Sequence, residues 1–355
     1  MRILYGVCGD GMGHAMRSAV VGDHLVRQGH ELAFVTSKGR AADFLERRFP
    51  GAVTHVVGLE SVVGGNRLLP EATIAWNLAR QALTPTLFHA VAAWRVGVPD
   101  RVVTDFEPWS ARYGRLLGVP TVALDNVHFV SRCIHPRDVV ASDRQAAAIG
   151  FAAIAGVVPH ADRYLVTTIA RPLSVQGDRT SLHAPIVRPE ILSAKSSDEG
   201  HVLVYFNDHA DHGAHLGALS ELGDVRFVVY GMPGVTDGAR LGNVTLRAMG
   251  DGFLGDLASC RAVIAGAGFT LVSEALALGK PILCRPFGGQ FEQILNANYV
   301  TRLGYGMRCD TLDRATVRAF LQNVPAFRAA LSGYRHEGNG ELLSSLDHAL
   351  VAGRP

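Results

Sequence analysis

The sequence predicts an α/β protein of two Rossmann-like lobes, each built on a parallel sheet and facing the other across a deep cleft. Three observations carry this. Short apolar runs alternate with helical patterns along both halves, which is the signature of βαβ units. The 355 residues exceed what one hydrophobic core normally organises. Hydrophobic residues make up 48% against 19% charged, a balance that suits a well-buried chain and argues against disorder, and the 39 glycines fit many tight strand-to-helix turns.

In the first lobe, expected over 1–175, the runs at 2–7, 31–36, 52–57, 101–106, 121–126 and 163–168 read as strands. Helices are expected at 17–28, 41–48 and 110–117, with a further helical stretch over 71–94 that Pro85 interrupts or restarts. Pro172, Pro185, Pro189 and the polar run 195–200 have the composition of a connection, placed at 176–200. The second lobe, 201–332, repeats the alternation, with strands at 201–206, 226–231, 243–249, 261–266 and 281–286 and helices at 212–222, 269–278 and 292–303. A C-terminal helix within 333–355 is expected to pack back on the first lobe.

Lys+Arg of 34 against Asp+Glu of 32, with no long single-sign run, excludes a general polyanion-binding surface, although not a nucleic-acid substrate. Cys8, Cys133, Cys260, Cys284 and Cys309 are widely spaced with no CxxC pair, which points to reduced thiols and a cytoplasmic protein. The N-terminus enters a strand at once, without signal-peptide character. No uninterrupted apolar run reaches the ~20 residues of a membrane-spanning helix. Stable membrane insertion is therefore not expected, and peripheral contact at the inner membrane face stays open.

Ligands of parallel sheets bind at the carboxyl ends of strands, and the informative motifs fall there. GDGMGHAMRS, residues 9–18, joins the first strand to the first helix. Its glycines allow close backbone approach to a ligand, but Gly9, Gly11 and Gly13 do not have the G-x-G-x-x-G spacing of a dinucleotide site. His14 in this loop suits a general base working near neutral pH, against the plainer reading of a histidine bonded to backbone at a helix start. Arg17 suits an anion ligand or the helix surface equally.

A carboxylate that fixes its tautomer improves such a base. Asp105 is the leading partner and Glu107 the reserve, while a helix-capping role for Asp105 is an equal alternative. Trp109 follows, and DNVH at 125–128 ends the next strand, where Asn126 and His128 suit hydroxyl groups or a turn. Trp76, Phe88, Trp94, Trp109 and Phe129 are read mostly as core, with an apolar acceptor pocket as the alternative.

The longest motif is AGAGFTLVSEALALGKPILCRPFGGQFEQILNANY, residues 265–299. Gly266 and Gly268 leave room at a strand end, and Phe269, Thr270 and Leu271 begin a helix whose dipole favours phosphate. Glu274 follows, where its carboxylate can accept from a ribose diol or simply complement the dipole. Glu292 and Gln293 open the next helix with groups suited to sugar hydroxyls.

Over both halves the chain resembles the GT-B glycosyltransferases, in the nucleotide-sugar group that holds the family 1 enzymes and the transferase that adds N-acetylglucosamine to lipid I. GMGHAMRS, SEALALGKPILCRPFGGQFEQILNA and the strand order between them carry the likeness. TDFEPWSARYGRLLGVPTVALDNVH is similar to a bacterial and archaeal subgroup. The resemblance implies inverting transfer from a nucleoside-diphosphate sugar, with UDP the default and dTDP the alternative, and with no metal or other cofactor. His14 matches the base and Asp105 its supporting acid. Gly13, Arg17, Glu107, Trp109, Asn126 and His128 are placed on the acceptor side.

On the donor side, Gly266, Gly268, Phe269, Thr270 and Leu271 match the phosphate site, Glu274 the ribose ligand, and Glu292 with Gln293 the sugar ligands. The base would lie near residues 247–250, including Met249, and Phe253. One departure from the family pattern is Gly266, which stands where a phosphate-binding His is common. Asn207 or His209, in NDHADHGAH at 207–215, is expected to serve the departing phosphate instead. His209, His212 and His215 lack a closing ligand pair, so a metal site is not expected. A nucleotide-sugar hydrolase or 2-epimerase of the same fold is the second reading and a non-catalytic nucleotide-sugar-binding protein the third. The acceptor, a small molecule, lipid, cell-wall intermediate or modified nucleic acid, is left open, as is the choice between monomer and homodimer.

Overall fold

The computed structural model describes the chain except for residues 65–66, 85, 141–143, 172, 206–211 and 353–355, and describes only the backbone of 86–88 and 144–146. From the N-terminus run β1 (Arg2–Val7), α1 (Met12–Arg27), β2 (Glu31–Thr36), α2 (Arg40–Arg48), β3 (Val53–His55), β4 (Val63–Gly64), β5 (Arg67–Leu68), α3 (Pro70–Leu83) and α4 (Thr86–Val96). There follow β6 (Arg101–Asp105), α5 (Pro108–Leu117), β7 (Thr121–Asp125), α6 (Phe129–Arg132), α7 (Arg137–Val140), α8 (Arg144–Val157), β8 (Arg163–Thr167) and β9 (Thr180–His183). The remainder is α9 (Pro189–Ser193), β10 (His201–Tyr205), α10 (His212–Ser220), β11 (Arg226–Tyr230), β12 (Arg240–Leu241), β13 (Val244–Leu246), α11 (Gly252–Ser259), β14 (Ala262–Ala265), α12 (Phe269–Ala277), β15 (Ile282–Cys284), α13 (Phe291–Arg302), β16 (Gly306–Arg308), α14 (Arg314–Leu331) and α15 (Gly340–Val351).

Two compact units result: Met1–Val63, Leu68–Ile186 and Gly338–Pro355 form one, Gly64–Arg67 and Val187–Glu337 the other. In the first, seven parallel strands lie in the order β3-β2-β1-β6-β7-β8-β9. Side chains alternate across the sheet: Ile3, Tyr5 and Val7 join the core made with α1, α2 and α15, whereas Leu4 packs with Ala92, Val96 and Trp109 on the other face. Covering both faces explains why the strands are continuous apolar runs. In the second unit the order is β12-β13-β11-β10-β14-β15-β16, with only β12 antiparallel to its neighbour among the described pairings.

In each sheet the chain builds outward on one side of its first strand, then crosses to the other side. The crossing points lie between β1 and β6, where Val7 stands opposite Asp105, and between β10 and β14, where Tyr205 stands opposite Ala265. Loops leave the carboxyl ends of such strand pairs in opposite directions and open a crevice.

The expected connection at 176–200 is more ordered than its composition implied. Residues 180–183 form β9, parallel to β8, and the unit boundary falls at Ile186. The strand is only four residues long, TSLH, with its two middle residues exposed or half-buried, so it lacks a continuous apolar run. Farther on, Ser196 Oγ donates to Leu278 O at 2.7 Å, Ser197 N to Ala258 O at 3.0 Å, and the buried Lys280 Nζ to Ser197 O and Cys260 O. The polar run is thus tied down by backbone partners. At the other end, Leu342, Leu346 and Leu350 of α15 enter the first unit's core, and Arg101 Nε donates to Leu350 O at 2.6 Å.

All five cysteines are buried free thiols; burial pushes Cys133, Cys260 and Cys309 up to about 12. Among the described residues no helix is long and apolar enough to cross a membrane.

Candidate active site

Gly11, with φ +108°, turns the chain after β1 in a conformation open only to glycine, and α1 begins at once. The helix therefore starts five residues before the periodicity suggested, and His14 sits in its first turn. From there His14, Arg17 and Ser18 follow at i, i+3 and i+4 and share one helix face. That face meets Asp105 at the end of β6.

Four donor atoms converge on the Asp105 carboxylate: His14 Nδ1 at 2.8 Å and Arg17 Nη2 at 2.5 Å on Oδ1, Arg17 Nε at 2.6 Å and Ser18 Oγ at 3.1 Å on Oδ2. Asp105 is fully buried, which by itself would raise its pKa, but Arg17 and His14 hold it down to about 2. Arg17 Nη2 also lies 2.6 Å from His14 Nδ1. A guanidinium only donates and the anionic Oδ1 is the stronger acceptor, so the imidazole proton belongs on Nδ1, facing Asp105. Nε2 is left as the basic nitrogen. It makes no hydrogen bond among the described residues, and the ring is 14% exposed.

The capping alternative for Asp105 falls to Glu107 instead. Its side chain accepts from Trp109 N at 2.8 Å and Ser110 N at 2.6 Å at the start of α5, and burial raises its pKa against those bonds. Between the two acids Phe106 holds φ +55°, the one positive φ outside glycine among the described residues. Such a conformation costs about 1–3 kcal/mol and persists only where the surroundings enforce it. Thr104 Oγ1 does so, accepting from Glu107 N and donating to Glu107 O.

Five of the residues assigned to the acceptor side, Arg17, Glu107, Trp109, Asn126 and His128, are buried. Glu107 is a buried cap. Trp109 is core, stacked on Tyr113 with Nε1 donating to His89. Arg17 is 4% exposed and held by Asp105, and it donates through Nη1 to Asn126 Oδ1, which draws that side chain into the same buried network. His128 is 1% exposed, with its backbone N–H and Nδ1 both on Asp125. Residues at strand ends of a doubly covered sheet are as readily buried as presented. Trp76 and Trp94, read as core, are instead 47% and 81% exposed, whereas Trp109 and Phe129 are buried; the Phe88 side chain lies outside the described residues.

In the second unit α12 starts at Gly268 with no side-chain cap. Gly268 has φ −62° and a Cβ there would meet nothing within 4 Å, so the fold itself does not demand glycine. The missing side chain keeps the helix N-terminus open, with the dipole favouring an anion. Behind it, Glu274 is held by Arg188, Nε to Oε1 at 2.5 Å and Nη2 to Oε2 at 2.7 Å. Both oxygens expected to face a ribose diol are thus occupied.

Glu292 and Gln293, adjacent on α13, point about 100° apart and make different contacts. Gln293 is buried and closes the preceding turn, accepting from Phe287 N at 2.9 Å and donating to Gln290 Oε1 at 2.7 Å. Glu292 accepts from Asn296 Nδ2 at 3.0 Å, and the same amide donates to Ala267 O at 3.1 Å. Asn296, which the sequence reading passed over, so joins α13 to the loop before α12. Phe253 is buried with its ring edge-on to Tyr230 and Tyr205, while Met249 is 56% exposed. Asn207 and His209 lie outside the described residues. Among those described, no group of three His, Cys, Asp or Glu is arranged to hold a metal ion.

The sequence profile of the family described as Glycosyl transferase family 1 matches residues 1–325. A search of curated proteins finds no match. Solved structures with a similar fold include the glycotransferase of kitacinnamycin (17% identity, 98% of each chain, TM-score 0.69) and the calicheamicin glycosyltransferase CalG4 (19%, 100% of each, 0.67). Phytolacca americana UGT2, solved with UDP-2-fluoro-glucose and pterostilbene, is similar at 15% identity over 99% of this chain and 100% of that one, with a TM-score of 0.68.

Proposed function

The chain belongs to glycosyl transferase family 1, and on that premise we propose that it moves a sugar from a nucleoside-diphosphate sugar, UDP- or dTDP-linked, to a nucleophile on an acceptor, with inversion and without a metal. The observation that carries the mechanism is the 2.8 Å contact of His14 Nδ1 with Asp105, which leaves Nε2 as a base. Nε2 removes the acceptor proton as the nucleophile attacks the anomeric carbon, and the nucleoside diphosphate leaves from the opposite face. Asp105 stays ionised and stabilises the imidazolium that forms. The N-terminus of α12, entered through Gly268, holds the diphosphate. Glu292, beside it, serves the donor sugar.

The test is a panel of UDP- and dTDP-sugars offered to the purified protein with and without candidate acceptors, followed by NMR of the product's anomeric configuration. Acceptor-dependent consumption with inversion supports the reading. Rapid acceptor-free consumption with exchange at C2 would identify a hydrolase or 2-epimerase, and a retained configuration would remove His14 from the role of base.

A further inference from the structure

Helix α3 is built inside out. Thr73, Asn77 and Arg80 recur at i, i+4 and i+7, and this polar stripe faces the protein. Thr73 Oγ1 accepts from Val62 N at 3.0 Å, and Asn77 exchanges two bonds with the backbone of Glu60, Oδ1 accepting at 3.0 Å and Nδ2 donating at 2.8 Å. Arg80 pairs with the Glu60 carboxylate at 2.7 Å. The other side carries Ile74, Trp76, Leu78 and Leu83 with the alanines between them, all exposed, and no residue of the helix is buried. A surface helix ordinarily turns its apolar side to the core and its polar side to water.

The next helix extends this face. α4 places Ala92 and Val96 in the core but leaves Val91 and Trp94 outside. α5 backs both helices, Arg112 donating to Gln81 of α3 and Trp109 to His89 of α4. Half of the large hydrophobic side chains exposed among the described residues lie between Val63 and Val98, a tenth of the chain, so the exposure is concentrated and not the ordinary scatter. At their exposures Trp76 and Trp94 alone offer on the order of 300 Å². With the aliphatic side chains the face reaches on the order of 800 Å², above the about 300–600 Å² of a monomer's largest apolar patch and equal to one partner's share of a standard interface.

We propose that the outward face of α3 and α4 is where a second copy of this chain docks, making the protein a two-fold dimer through its first unit. The inference goes beyond the transfer reading and does not depend on it. A two-fold interface brings one patch against itself, so it must be self-complementary in charge as well as large enough. The outward charges are one acid, Glu71, and one base, Arg95, both exposed and neither bonded among the described residues, so each finds its opposite on the second copy. A bilayer surface is served less well, because an anionic leaflet attracts clusters of basic residues and this face is neutral.

The experiment is sedimentation velocity and light scattering of the full chain over a dilution series, with circular dichroism in parallel. We expect the wild type at twice the chain mass. Leu78→Glu/Leu83→Glu, which changes side chains exposed within one copy, should weaken the dimer by about a hundredfold or more at an unchanged dichroism spectrum. Trp94→Gln, which adds no charge, should weaken it about tenfold, and Leu241→Glu, an equally exposed leucine of the second unit, should leave it intact. Flotation with vesicles of phosphatidylglycerol and phosphatidylethanolamine tests the bilayer, and the wild type should not float. A wild type that stays monomeric up to about 0.1 mM would overturn the proposal. So would a dimer that Leu78→Glu/Leu83→Glu leaves as tight as before, which places the interface elsewhere. Flotation of a monomeric wild type that the same variant abolishes would give the face to a membrane instead.

Discussion

The crossing points of the two sheets use a buried acid in opposite ways. At the first, between β1 and β6, Asp105 gathers His14, Arg17 and Ser18 from one face of α1, and the group left facing outward is an imidazole nitrogen. At the second, beyond β14, Glu274 takes up a single arginine, and the group left facing outward is the edge of a guanidinium. One arrangement suits proton transfer, the other the binding of an anion. α1 and α12 start at glycine without a side-chain cap, whereas α5, which follows β6 at the first crossing, and α14 are capped by Glu107 and Asp313. Burial of an acid therefore does not mark function by itself; what it leaves exposed does.

The comparison can be broken at its strongest point by His14→Ala. Turnover should fall by about 10²–10⁴-fold, the usual contribution of a positioned acid–base group, with UDP affinity retained in calorimetry. Asp105→Ala strands the Arg17 charge in the interior and should cost about 3–5 kcal/mol, read as a lower urea midpoint; an unchanged midpoint would show that the network is not structural. The pH dependence follows the same acid. Its folded pKa of about 2 lies below the unfolded value of 3.8, so its contribution is complete above that value and is lost as pH falls toward 2. Acid titration of the wild type against Asp105→Asn, followed by circular dichroism, should show the wild type losing its stability advantage over that window.

The two helix-start glycines give the smallest and sharpest contrast. Gly11→Ala forces an alanine to φ +108° and should destabilise by about 1–2 kcal/mol in thermal melts. Gly268→Ala meets neither strain nor a neighbour, so stability should change by less than about 0.5 kcal/mol, while UDP binding weakens because the new methyl group stands at the helix entrance. Equal effects on folding would mean that both glycines serve the backbone alone.

Much of this was legible in the sequence. The apolar runs located the major strands within one to three residues, since strands covered on both faces have no polar face to hide. The glycine-led motifs fell at the two crossing points, and His14 with Asp105 emerged as a pair. What failed to show was direction. Asn126 and His128 at the end of β7 were left between a ligand and a turn, and Gln293 was read as a sugar ligand; in the structure Asn126 accepts from Arg17, His128 bonds to Asp125 and Gln293 closes the turn at Phe287. Arg188, inside an expected connection, was silent because its partner lies 86 positions away.

By itself the sequence determined the class of fold, the positions of the major strands, and the residue types that stand at the glycine turns, because these follow from periodicity and local backbone freedom. Only the tertiary structure decided the rest of the pairings: that Arg17 and Ser18 join His14 on Asp105, that Glu107 caps α5, and that Glu274 is bonded by Arg188. Such pairings depend on distances between remote strand ends and helix faces, and no local pattern carries them.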